Sequence, residues 1–297
     1  MITIPSIPRI WRCRPASAAL LLLAVTASCS SAFGHAGIHE EIDTVTRLIR
    51  SDPANAQYFL QRGDLYRLHR DWDRALADFQ TARQLGSTGF EAELGLGRTR
   101  LGQGSPQQAL THLDRALALR PGDVRTLVTR AEACRALDKP LDAAADYSRA
   151  IEQFTGPAKP LPEYYLERAR AFAAAGVPYL GQALQGLDEG MQVLGDIRTL
   201  ALYAVALERQ RGNADAAIKR LDAILAHATR KEFLLFERGD ILATANRQAE
   251  ARRDWLAAQA AIATLPPSRR ATPAVRQLLA DIDSRLGSTA QADGDAR

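Results

Sequence analysis

Apolar positions along the chain fall into one continuous run and then a long series of one-sided stripes. Ala16 to Ala27 is an almost unbroken hydrophobic run centred on Leu20, Leu21, Leu22 and Leu23. From Ile38 onward, apolar residues recur three or four positions apart, which lays them along one face of an α-helix. Ile42, Val45, Leu48 and Ile49 make the first such stripe, closed by Ser51-Asp52-Pro53. Val275, Leu278, Leu279, Ile282 and Leu286 make the last. The pattern predicts helices joined by short turns throughout.

Between these two stripes the chain repeats itself. Gly63, Gly97 and Ala131 stand 34 residues apart. At the same offsets come Ala75, Ala109 and Ala143, then Phe79, Leu113 and Tyr147, then Ala82, Ala116 and Ala150. Small residues at three fixed places let paired helices, and the next pair, approach closely, and the large residue fills the space between layers. Turn residues precede each second helix: Arg70-Asp71-Trp72, Gly104-Ser105-Pro106 and Asp138-Lys139-Pro140. Ser105 before Pro106 predicts an N-cap with proline in the first turn. Leu85-Gly86-Ser87 and Arg120-Pro121-Gly122-Asp123 read as helix stops between units.

This pattern resembles the tetratricopeptide repeat family, with tight units at 56–89, 90–123 and 124–157. Looser units follow at 162–197 (two extra residues before its second helix), 198–231 and 232–265. Val205 departs from the Gly or Ala of the first small column, which predicts wider helix spacing in its unit. The resemblance implies an all-α fold, a right-handed α-α superhelix (a solenoid) of about six helix-turn-helix repeats. Solenoids need polar-faced ends, and 38–52 reads as an N-terminal capping half-repeat, a lone second helix. Pro266 to Arg270 reads as a linker, 272–286 as a C-terminal capping helix and 287–297 as a loose tail.

Composition agrees: 46% hydrophobic, 24% charged and only 6% aromatic, with strong helix formers and little strand material. The first 28 residues read as a signal peptide, in which Arg9, Arg12 and Arg14 precede an apolar run too short to span a bilayer. Thr26-Ala27-Ser28-Cys29 resembles a lipobox, which makes Cys29 a candidate for lipidation; cleavage after Ala32 or Ala36 is the alternative. Either route predicts export to the periplasm, with any membrane attachment only through that N-terminal lipid. Without the three leading arginines the formal charge falls from +4 to +1, so nucleic acid is not an expected partner.

Motifs that suggest chemistry dissolve into the repeat. Gly95-Leu96-Gly97 with Gly102 and Gly104 lacks phosphate-loop spacing and a preceding strand. His35 and His39 have metal-compatible helical spacing but no completing ligands, so neither metal nor cofactor is expected. Cys134 falls at an inward position and reads as a small hydrophobe. No catalytic set stands out, and the chain is read as a non-enzyme.

What remains is the groove. The family resemblance implies that first helices line a concave surface that takes up a peptide. Its offsets give Gln57, Leu60, Asp64 and Arg67; Leu94 and Arg98; Arg125, Val128, Glu132 and Arg135. Later units add Glu163, Leu166, Arg170, Leu202, Arg209, Phe233, Phe236 and Asp240. Arginines outnumber acids there, which suits a partner bearing carboxylates and apolar side chains. The Lys and Asn of chaperone-binding members are replaced by Leu60 and Asp64, so a clamp of that kind is not expected. The expected role is a non-catalytic binding scaffold of the bacterial envelope with a protein or peptide partner. A pilotin-like assembly lipoprotein and an accessory subunit of an envelope enzyme are the alternatives.

Overall fold

A computed structural model describes the backbone of residues 29–86 and 89–295, with side chains described within 37–287. The signal segment expected at 1–28 and the side chain of Cys29 lie outside the described residues. α1 (Cys29–Ser51) leads six antiparallel helix pairs. These are α2 (Ala56–Leu68) with α3 (Trp72–Gln84), α4 (Gly89–Gly102) with α5 (Pro106–Leu119), and α6 (Val124–Ala136) with α7 (Pro140–Glu152). There follow α8 (Pro162–Ala174) with α9 (Leu180–Leu194), α10 (Arg198–Gln210) with α11 (Ala214–His227), and α12 (Glu232–Thr244) with α13 (Gln248–Ala263). α14 (Pro267–Arg270) and α15 (Pro273–Asp295) close the chain. The architecture is an all-α, right-handed superhelix of stacked pairs.

The repeat columns form the core. Ala75, Ala109, Ala143, Ala183, Ala217 and Ala251 have no solvent exposure. The large column, from Phe79 through Leu113, Tyr147, Leu187 and Leu221 to Trp255, is at most 2% exposed. Each such side chain contributes roughly 1.5–3 kcal/mol of burial free energy. The small column explains itself by distance. A Cβ added at Gly97 would stand 2.7 Å from Leu113 Cγ, and one at Gly239 2.6 Å from Trp255 Nε1.

The turn inside each pair carries a second regularity. Arg70, Gly104, Asp138, Gly176, Gly212 and Asn246 occupy the same place and all have positive φ, from 56° to 107°. That left-handed step reverses the chain between the two helices. The two extra residues of the fourth unit are taken up by a single 3₁₀ turn, Val177–Tyr179, after Gly176.

Three details differ from the sequence reading. Ser105 holds the N-cap place of α5 but makes no side-chain capping bond; its carbonyl accepts from the Ala109 amide at 3.0 Å. The expected linker contains the short helix α14, which starts on Pro267, a residue suited to a first helical turn. The expected loose tail instead continues α15 to Asp295.

Arginine staples bind successive units. Arg130 on α6 grips Asp146 on α7 through two bonds, Nε to Oδ2 at 2.7 Å and Nη2 to Oδ1 at 2.6 Å. Its Nη1 reaches Asp114 on α5 at 2.7 Å. Arg238 likewise grips Asp254, with Nε to Oδ2 at 2.7 Å, and pairs with Asp222. Arg62 bonds Asp78 at 2.8 Å and Thr46 at 3.1 Å. Thr46 therefore stands where the other staples use the preceding unit's aspartate, so α1 packs as the second helix of a unit that lacks its first.

Candidate functional site: the concave face

First helices of neighbouring units touch along one face, α2 with α4, α4 with α6, and α8 with α10. Leu60 and Leu94, expected to line that face, are instead buried in the core, where they pack among the apolar residues of their own and neighbouring helices, while five other groove-offset residues meet at one cavity. Arg67, Arg98, Arg125, Val128 and Glu132 line this cavity of about 440 Å³ together with Tyr164. Arg67 is paired with Asp64 at 3.0 Å. Arg125 lies 3.6 Å from Glu91 and 3.5 Å from Asp123. Among the described residues, no ion pair or hydrogen bond engages the Arg98 guanidinium. Burial, then the like charge of Arg67, pulls the Arg98 pKa below its ordinary value, with Arg125 adding to this. Partial desolvation pushes the Glu132 carboxyl up, against the pull of Arg135 and Arg98.

Other groove residues are already engaged. Arg135 and Arg170 both pair with Glu167, the second at 2.6 Å, and Arg170 also lies 5.8 Å from the Tyr203 ring centre. Arg209 meets Glu237 at 3.4 Å. Asp240 accepts from Trp255 Nε1 at 3.2 Å and pairs with Arg285 of α15 at 3.0 Å, which ties the C-terminal helix to the last pair. Gln57 and Glu163 sit exposed in the first turns of α2 and α8. The arginine excess is thus largely neutralised by Glu91, Glu167 and Glu237, which the groove offsets did not include. Glu167 and Glu237 share one offset in their first helices, so a further column would have found them.

Elsewhere the chemistry is structural. Cys134 is buried, and that burial, with Asp146 and Asp142 nearby, pushes its thiol up to about 11. His39 packs edge-on against His69, with ring centres 4.6 Å apart. Among the described residues, no group of three or more His, Cys, Asp and Glu is placed to hold a metal ion. Among them, too, no helix is long and apolar enough to cross a membrane.

Stacked helix pairs, a left-handed step in each turn and a charged inner face define a helical-repeat binding scaffold. The tetratricopeptide repeat model matches residues 42–90 and 94–160, so this part of the chain is built of the repeats found in tetratricopeptide repeat proteins. Such proteins are generally non-catalytic scaffolds for protein or peptide partners. No curated protein matches the chain. Among solved structures, the C-terminal part of a tetratricopeptide repeat-containing protein from Cytophaga hutchinsonii is similar at 14% identity. That match covers 80% of this chain and 95% of the other, with a TM-score of 0.62. A tetratricopeptide repeat protein from Parabacteroides merdae matches at 15% identity over 85% of this chain and 95% of its own, with a TM-score of 0.49. At 14% identity the likeness to the Cytophaga hutchinsonii protein is one of fold.

Proposed function

We propose that the chain is a non-catalytic scaffold of the bacterial cell envelope that takes an extended segment of another protein into its concave groove. The observation that carries this reading is the half-buried Arg98 guanidinium, which has no ion pair among the described residues and lines an open cavity where the first helices meet. Arginines of the staples are consumed by aspartates within the stack, whereas the groove keeps an open cavity under Arg98. The envelope setting rests on the basic and apolar N-terminal segment, with Cys29 as the residue that would carry a lipid.

A photo-crosslinking side chain at Val128, compared with one at the partly exposed Arg149 of α7, tests the reading. Capture of one partner from the native envelope through Val128 alone is the expected result. Capture through Arg149 alone would place the ligand surface on the other face. Mass spectrometry of the mature N-terminus decides between a lipidated Cys29 and a start after Ala32 or Ala36.

A further inference from the structure

The cavity under Arg98 says more about the partner than that it is a peptide. Three guanidinium groups, from α2, α4 and α6, meet there in three successive units. Two are answered within the protein: Arg67 by Asp64 at 3.0 Å, and Arg125 by Glu91 and Asp123 at 3.6 and 3.5 Å. Arg98 is half-buried, and Asp64 and Glu132 act on it only from beyond ion-pair range. A cation removed from water without a counter-charge is costly, and a ligand that supplies the charge recovers that cost.

Resting on the groove reading, we propose that this cavity takes the side-chain carboxylate of one Glu or Asp within the partner's extended segment. A guanidinium pairs with a carboxylate through two parallel hydrogen bonds, so Arg98 fixes both the position and the register of that residue. Val128, Leu101 and Tyr164 line the same cavity and give an apolar neighbour in the segment a place to rest.

The local charge balance selects the anion. Asp64 answers Arg67, Glu91 and Asp123 answer Arg125, and Glu132 also lines the cavity, so the single Arg98 guanidinium is what lacks a direct counter-charge. A single carboxylate matches that; a phosphate dianion adds repulsion from these acids. Position selects an internal side chain over a chain terminus. The face continues beyond Asp64, which lines the next cavity toward Glu41 of α1, and beyond Tyr164 along α8, so the peptide backbone has a path in both directions.

The test is selection of random linear peptides on the full chain and on its Arg98→Met variant, followed by affinity measurement of synthetic versions. The guanidinium of Arg98 has no partner to lose, so the variant keeps its helicity and melting temperature. Expected are peptides that share one acidic position beside an apolar residue. Replacing that acid by its amide weakens binding about tenfold. Arg98→Met weakens the acidic peptide to the same extent and leaves the amide peptide unchanged. Phosphoserine at that position, or a peptide ending there in a free carboxylate, binds no better than the internal acid. Peptides without a shared acid, equal loss for acid and amide on Arg98→Met, or tighter binding of the phosphoserine or terminal form would overturn the inference while leaving the groove reading intact. Failure of the protein to select any peptide would overturn both.

Discussion

Arg130 and Asp146, sixteen residues apart, form a two-point ion pair inside their unit, and Asp114, sixteen residues before Arg130, completes a bridge to the unit before. The same spacing returns at Arg62 with Thr46 and Asp78, and at Arg238 with Asp222 and Asp254. Sixteen is the separation that sets a first-helix residue opposite the second helix of its own pair and, backward, opposite the second helix before. Close helix contacts at the alanine columns govern spacing, and these staples add a directional link between layers.

Removing one end of a staple should therefore cost more than a surface charge does. Asp146 is 2% exposed, and Asp146→Ala leaves Arg130 with its best partner gone in a partly dry site. A loss of about 3 kcal/mol is expected from urea unfolding. The double variant Arg130→Met with Asp146→Ala should regain part of it, because the stranded cation is gone. A loss below about 0.5 kcal/mol in the single variant would show that the pair behaves as an exposed one.

The second and fifth units have Leu96 and Ala204 at the staple position, whereas the fourth keeps the arginine without its aspartate and supplies the converse experiment. Arg168 stands at the staple position, but the aspartate place is Gly186, so the guanidinium leans on the Gly186 carbonyl at 3.3 Å and on Glu189 at 2.5 Å. Its Nε is buried without a partner. A Cβ at Gly186 would approach Arg168 Nη2 at 2.9 Å, the far end of a side chain that can swing aside. Gly186→Asp should raise stability by about 1 kcal/mol, through a satisfied donor and the loss of a mid-helix glycine. Thermal unfolding checks this, and Gly186→Ala separates the helix contribution from the ion pair.

These staples also show what the sequence made legible. The columns headed by Gly63, Ala75, Phe79 and Ala82 are visible because volume at a close contact admits few residue types. The staples stand in the sequence as Asp114, Arg130 and Asp146 in even steps of sixteen, a spacing that differs from that of the apolar columns. The groove positions were legible and their charge state was not. In the sequence Arg135 reads as available, yet Glu167 holds it, because pairing across units depends on how neighbouring helices face each other. Reversing Arg135 to Glu would set it against Glu167, so among the groove arginines Arg98 is the cleaner probe.

Glycines of the first small column should differ in how far they tolerate a methyl group. At Gly63 the added carbon meets Phe79 at 3.0–3.2 Å, a contact that a small ring tilt relieves. At Gly239 it meets Trp255 Nε1 at 2.6 Å and the Ala251 carbonyl at 3.2 Å. Trp255 has little room to move, since it is buried and bonded to Asp240 at 3.2 Å. Gly239→Ala should lose about 1–3 kcal/mol, and Gly63→Ala should stay close to wild type because better helix propensity offsets the crowding. Equal unfolding midpoints for the two variants would contradict this ranking.

Glu132 gives the groove a pH dependence whose sign is fixed by its surroundings. Its carboxyl is held above the ordinary value of 4.5 by desolvation, which outweighs Arg135 and Arg98, and Glu167 adds to the upward push. Between the ordinary value and the raised one, the folded protein binds more proton than the unfolded chain does. Stability from this residue is therefore present below the ordinary value and is lost as pH rises through the folded-state value. Glu132→Gln removes the penalty, so the variant should be the more stable protein at about pH 7 and lose its advantage below about pH 4.5. The gain is small, because Glu132 is an exposed residue and solvent screens its charge. Paired urea titrations at the two pH values measure it. An advantage that persists unchanged at the lower pH would mean that the amide acts through packing, not through the lost charge.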